Sequence, residues 1–176
     1  IVYNRLRITR RQKKLIEDQK RLVDEKNKEI TSSIEYAKRI QDAILTSTEY
    51  ISEILPESFM LYKPRDIVSG DFYWLYKQNN DIFFTVADCT GHGVPGAFMS
   101  IIGNALLNEL IIENGIKEPN KVLYGMRTSI IRSLGQKGEA GEAKDGMDIA
   151  LCRMNMKEGK LSFSGANNPL YLIREG

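Results

Sequence analysis

Through the first 54 positions, apolar residues recur with a period of seven. Ile16, Val23, Ile30, Ala37 and Ile44 form the main stripe. Leu15 and Leu22 widen it early, and Ile34 and Ile40 widen it later. A seven-residue repeat keeps one seam of a helix turned toward a partner, so the pattern predicts a coiled-coil helix. Lys20, Asn27 and Gln41 interrupt the seam with polar groups. The segment contains no glycine, and the first proline is Pro56. Such a stripe needs cover, either from a second copy of the helix in a parallel homodimer, the preferred reading, or from the domain that follows.

Beyond Pro56 the periodicity shortens. Alternating or continuous runs of β-branched and aromatic residues predict strands over 58–62, 71–76, 81–87, 147–154, 160–164 and 170–173. The run at 81–87 is the strongest, with Ile82, Phe83, Phe84, Thr85 and Val86 in succession. Between these runs, 95–113 and 120–134 have helical spacing. Pro95 opens the first helix, where its missing N–H is no loss. That helix is apolar on most sides, so it is expected to be largely buried. The stretch 135–146 is polar and Gly-rich and is expected to be a mobile loop. The chain therefore divides into a helical linker, residues 1–54, and an α+β domain, residues 55–176.

Composition narrows the function without naming it. The chain has 176 residues, 42% hydrophobic, enough for a packed domain. A net charge of +2 argues against a dedicated nucleic-acid binder. Charge is concentrated, however. Arg5, Arg7, Arg10, Arg11, Lys13, Lys14, Lys20 and Arg21 face only Glu17 and Asp18 across the same stretch. Either this is a solvated helix face, or it is a juxtamembrane segment beside anionic lipid. The opening Ile1-Val2-Tyr3 lacks an initiator Met and suggests a cut just after something, such as a membrane span. No apolar run reaches the length of a span and no signal peptide is visible, so the chain itself is expected not to cross a membrane. Cys89 and Cys152 lie far apart with no CxxC spacing, which indicates neither a disulfide framework nor a zinc site. A reducing cytoplasm is the expected compartment.

Two stretches carry candidate chemistry. One is Ser69-Gly70-Asp71-Phe72-Tyr73. The other is Asp88-Cys89-Thr90-Gly91-His92-Gly93-Val94-Pro95-Gly96-Ala97. Asp88 ends the strongest strand and precedes a Gly-bracketed turn into a helix. A carboxylate so placed suits a hard divalent cation, and glycines let backbone approach a ligand closely. Asp71 borders a neighbouring strand. If the two strands pair, both carboxylates converge. Alone, an Asp before a Gly turn is often only a cap or an Asx turn. Gly91-His92-Gly93 could also cradle a nucleotide phosphate, although no Walker lysine or full Gly-x-Gly-x-x-Gly accompanies it. His92, the only histidine, is either a general acid or ligand, or a group that orients the turn. Arg65 is a weak candidate for a phosphate contact.

These two motifs, with Gly146-Met147-Asp148-Ile149-Ala150 and Gly165-Ala166-Asn167-Asn168-Pro169, resemble the sporulation-stage-II-E (SpoIIE) type of PPM, or type 2C-like, protein phosphatases. Residues 30–41 also resemble the linker that precedes this domain in many bacterial sensor proteins. The resemblance covers roughly 30–173. It implies a four-layer α-β-β-α sandwich with two Mn²⁺ or Mg²⁺ ions at one end. Asp71, Asp88 and the Cys89 carbonyl are then metal ligands, with Asp148 near the site. Gly91, His92 and Gly93 are candidates for the substrate side, as is Arg65, which no motif assigns and which only precedes the Asp71 stretch. Metal-activated water would attack phosphoserine or phosphothreonine of a regulatory protein, such as an anti-sigma-factor antagonist, under control of the dimeric linker. The family's domain continues past Gly165-Ala166-Asn167-Asn168-Pro169 to further acidic ligands in a Thr-Asp-Gly type motif. The 55–176 segment is therefore expected to be the N-terminal two-thirds of the domain and the sandwich to be incomplete. The competing expectation is a catalytically silent phosphatase-like module for dimerisation and partner capture.

Overall fold

The computed structural model describes residues 2–137 and 145–174. Helix α1 runs Val2–Ile44. The chain falls into two compact units, residues 1–37 and 38–176. The first unit is helix alone, and Ile16, Val23 and Ile30 of the seven-residue stripe lie exposed along it. The helical linker is not continuous to residue 54. It breaks after Ile44, and α2 begins at Thr48 and ends at Ile54. Local hydrogen bonding explains the break: the Ser47 hydroxyl accepts from the Tyr50 N–H as an N-cap. The Thr46 hydroxyl meanwhile accepts from the Leu75 N–H at 3.0 Å.

The second unit is α+β. Its sheet has four antiparallel strands in sequential order: β1 (Phe72–Gln78), β2 (Asp81–Cys89), β3 (Met147–Asn155) and β4 (Lys160–Ala166). A tight turn at Asn79, with φ of 56°, joins β1 to β2. Alternation along the strands separates two faces. One presents Phe72, Trp74, Phe83, Ala87, Cys89, Ile149 and Leu151. Helices cover it: α3 (Gly93–Leu107), a π-helical turn over Asn108–Glu113 and α4 (Pro119–Ser133). Leu107, Ile111 and Val122 are fully buried there. The stretch Gly93–Glu113 is long and apolar enough by composition to cross a membrane. That corrects the expectation that no segment reaches span length. Here it is the central core helix.

The opposite face carries Tyr73, Leu75, Phe84, Val86, Cys152 and Phe163, paired in register across the sheet. It is only partly covered, with Val86 54% and Phe163 40% exposed. Among the described residues no second sheet forms. The runs 58–62 and 170–173, expected to be strands, are irregular. Their composition suits a strand, but a strand exists only by pairing, and no described strand pairs with them. Phe59 and Ile173 stand 96% and 92% exposed as a result. The described residues thus supply one helix layer and one sheet layer of the expected α+β architecture. Most of the loop expected at 135–146 falls at 138–144, outside the described residues.

Buried charge lies at the sheet end remote from Gly70, Gly91 and Gly93. Asp81 accepts from Arg153 through Nε and Nη2 at 2.9–3.1 Å, from Asn155 at 2.7 Å and from Lys117 at 3.2 Å. Burial alone would raise its carboxyl; these donors outweigh that and hold it below the usual carboxylate range. The arrangement ties the β1–β2 hairpin to β3.

Candidate metal centre

Register determines what meets at the other end of the sheet. Phe72 lies opposite Ala87, so the next position brings Asp71 to Asp88. Asp88 in turn pairs with Asp148 on β3. Three aspartates from three neighbouring chain segments thus stand at one sheet edge, and all three are exposed. Asp71 and Asp88 are thereby neighbours across the β1–β2 pair and line the same cleft. Partial burial, then a hydrogen bond that the protonated Asp71 carboxyl donates to Asp88, then the Asp88 charge raise the Asp71 carboxyl above its ordinary value. Like charges pressed together in this way favour a proton or a cation between them. The Asp148 Oδ1 accepts from Asn167 Nδ2 at 3.1 Å. Among the described residues, no group of three acidic, His or Cys side chains gathers closely enough to hold a metal by itself. Two carboxylates still fit a Mg²⁺-like ion, which commonly takes one or two carboxylates and completes its shell with water and phosphate oxygens.

The backbone behind the pair is packed glycine against glycine. A Cβ on Gly96 would lie 2.6 Å from the Gly91 oxygen and 3.0 Å from Gly70 Cα. A Cβ on Gly70 would lie 2.8 Å from the same oxygen. Gly91 and Gly93 have φ of 87° and 60°, which side chains seldom adopt. The Asp71 loop and the turn after Asp88 are therefore in direct backbone contact. Thr90 secures the far side of the turn: its N–H donates to the Gly146 carbonyl at 2.9 Å, and its hydroxyl accepts from the Gly146 N–H at 3.1 Å.

His92 occupies the position that opens α3, with extended backbone. Its Nδ1 lies 3.0 Å from Asp66 Oδ2. That contact ties the turn to the segment ahead of Asp71. Arg65 is exposed. A cleft of about 200 Å³ beside the pair is lined by Tyr62, Lys63, Asp71, Tyr73, Asp88 and Asn168, and Arg65 is not among its walls. Lys63 escaped sequence reading, since a single Lys carries no pattern, and Asn168 stood in a motif of the resemblance without a role at the site. The Cys89 side chain points into the core. Burial, then the Asp88 and Asp71 charges, push its thiol up to about 12. It stays protonated and is neither nucleophile nor thiolate ligand, which leaves its backbone carbonyl. A larger cavity of about 740 Å³, between α4 and the β3–β4 edge, is mostly apolar and holds none of these groups except Gly146 and Met147 beside Asp148.

The family profile described as "Stage II sporulation protein E (SpoIIE)" matches residues 78–176, more than half of the chain. The chain belongs to the SpoIIE family. The match takes in Asp88, His92 and Asp148, and Asp71 lies just ahead of it. Phosphoserine phosphatase RsbU of Bacillus subtilis (strain 168) is 34% identical over 99 residues, covering 56% of this chain and 28% of that protein. The SiaA-PP2C domain of Pseudomonas aeruginosa superposes with a TM-score of 0.70 at 35% identity, covering 80% of this chain and 55% of that one. The chain thus spans about a quarter of the length of RsbU and about half of the SiaA-PP2C chain. A SpoIIE-type, PP2C-like phosphatase domain is the fold and family of this protein, and that family is generally metal-dependent.

Proposed function

We propose that this domain belongs to an enzyme that hydrolyses phosphoserine or phosphothreonine on a regulatory protein, and that Asp71 and Asp88 hold its divalent cations. The observation that carries the reading is the strand register that sets Asp71 beside Asp88, both lining one cleft at the open end of the sheet. The Cys89 carbonyl and Asp148 are the adjoining candidate ligands. Bound Mn²⁺ or Mg²⁺, two ions by family resemblance, would neutralise phosphoryl oxygens and lower the pKa of a bound water. The chain's own residues do the remaining work. The glycine contacts fix the spacing between Asp71 and Asp88. Lys63 and Asn168 line the cleft where a phosphorylated side chain would enter. His92, held by Asp66, orients the turn, with Gly91 and Gly93 shaping it. Arg65 stands outside the cleft as a candidate for contacting the protein substrate.

The substrate class rests on the similarity to RsbU, a phosphoserine phosphatase, and an anti-sigma-factor antagonist is the specific candidate. Control through a homodimer rests on the exposed seven-residue stripe of α1. The basic stretch from Arg5 to Arg21 of that helix supports a cytoplasmic location, as the cytoplasmic part of a membrane-anchored sensor. The silent binding module is the second reading, favoured because no third acidic group joins the pair among the described residues. Asp88→Asn in the natural full-length protein separates the two. The enzyme reading expects Mn²⁺-dependent release of phosphate from a phosphoserine protein by the wild type and its loss, by a factor of about a hundred or more, in the variant. A wild type without such activity supports the module; activity that survives the substitution removes Asp88 from the metal set.

A further inference from the structure

The segment ahead of Asp71 brings an uncommitted lysine to the cleft beside the aspartates. Tyr62 fixes that segment. Its hydroxyl donates to the Asp71 carbonyl at 3.2 Å, and its ring meets Tyr73 edge-on, with centroids 5.3 Å apart. Lys63 follows directly and precedes Pro64, which restricts the Lys63 backbone to extended conformations. The chain is thus held on both sides of Lys63 although it pairs with no strand. Lys63 is exposed and is the only basic residue on the walls of the cleft of about 200 Å³. Asp71 and Asp88 stand on the same walls. Even so, Lys63 makes no ion pair and no side-chain hydrogen bond among the described residues. Lys38, the cation that acts on the Tyr62 hydroxyl, is already paired with Asp42 at 3.0 Å.

Resting on the reading of Asp71 and Asp88 as metal ligands of a phosphatase, we propose that Lys63 is a substrate-binding residue whose ammonium pairs with the phosphoryl group. The distribution of charge favours this over an internal role. A lysine that served to neutralise the aspartates would form an ion pair with one of them, and Lys63 does not. The carboxylates are left for cations and the ammonium for an anion. A phosphoryl group held on a metal needs both kinds of partner in one cleft. Lysine suits the task as a compact point charge with rotatable donors on a flexible stem, able to follow the phosphoryl oxygens as they move. The Tyr62 anchor and Pro64 confine the root of that stem, so less freedom is lost when the ammonium engages. Arg65, only two residues on, lies outside the cleft and cannot take the same place.

The test uses the natural full-length protein loaded with Mn²⁺. Inorganic phosphate is the binding probe, titrated by calorimetry, and p-nitrophenyl phosphate is the substrate. Lys63→Met keeps an unbranched stem and removes the charge, whereas Lys63→Arg keeps the charge. Lys160→Met, which removes an exposed cation at the far end of β4, controls for net charge. The expected result is phosphate binding about tenfold weaker in Lys63→Met, with a matching rise in KM. Mn²⁺ binding should stay within about twofold of wild type, and Lys63→Arg should recover most of the loss. Phosphate binding by Lys63→Met within that twofold window overturns the proposal. So does an equal loss in Lys160→Met, which reports only long-range charge. Lys63→Arg as weak as Lys63→Met overturns it too, since charge would then not be what binds. An equal loss of Mn²⁺ affinity in Lys63→Met has the same force, because it places Lys63 with the metal rather than with the anion. A wild type that neither hydrolyses p-nitrophenyl phosphate nor binds phosphate removes the phosphatase reading and the role of Lys63 together. A wild type that does both, with Lys63→Met unchanged, removes the role of Lys63 alone.

Discussion

Replacing Arg153 by Met removes the main partner of a buried carboxylate while keeping the volume of the side chain. The Asp81 side chain is 6% exposed, and Arg153 supplies three of its hydrogen-bond contacts. Asn155 and the half-exposed Lys117 remain in the variant. Breaking a buried pair costs about 3–5 kcal/mol, and the two surviving donors put this case near the lower end, about 3 kcal/mol. For a chain of this size that lowers Tm by about 6–12 °C. The pH dependence has a definite sign. The folded Asp81 carboxyl lies below its unfolded value, so its stabilisation is complete above the unfolded value and is lost as pH falls through the folded one. The difference between wild type and Arg153→Met should therefore be full at pH 7 and shrink below about pH 4. Urea unfolding at pH 7 and at pH 3 measures both numbers. Adding Asp81→Asn to Arg153→Met should recover part of the loss, because the uncompensated charge is then gone. A difference under about 1 kcal/mol at pH 7, or one that grows on acidification, would refute the reasoning.

Three further outcomes follow from the geometry. Asp88→Asn should stabilise the metal-free protein at pH 7 by about 1 kcal/mol, the water-screened value for two like charges in contact; the sign fits Asp71, whose raised carboxyl makes the wild type lose stability as pH rises through its folded value, and a thermal melt in EDTA that shows destabilisation counts against the contact. Gly96→Ala should destabilise by about 1–3 kcal/mol, because its Cβ meets backbone that cannot yield and this outweighs about 1 kcal/mol of better helix propensity; an unchanged urea midpoint would contradict the glycine packing. Val23→Glu with Ile30→Glu should convert the full-length protein from dimer to monomer in light scattering while leaving the circular dichroism of the sheet domain intact, and a dimer that persists removes the helix stripe from the interface.

Strands β1 to β4 and both core helices were legible because their apolar spacing reports local burial, which the fold then supplies. The pairing of Asp71 with Asp88 was legible as a condition, since it needed only that the neighbouring strands meet. The runs 58–62 and 170–173 misled because their composition favours a strand, whereas pairing depends on what lies alongside. The early start of α3 at Gly93 and the π-helical turn at Asn108–Glu113 left no mark in the spacing. The π-turn lies where Asn108 bridges Trp74 and Asn104, contacts from distant parts of the chain. Gln41 read as a flaw in the apolar seam. Its burial and its bonds to Ser69 and Ser100 are tertiary, so periodicity showed only that a polar group interrupted the stripe.

Asp71 and Asp88 together are proposed to hold a divalent cation. Crystals of the full-length protein grown with Mn²⁺ and measured at the manganese absorption edge address it directly. An anomalous peak is expected about 2 Å from a carboxylate oxygen of each of the two aspartates, absent in Asp88→Asn crystals. Saturating Mn²⁺ with no peak at either carboxylate, or a peak that survives in Asp88→Asn, would contradict it.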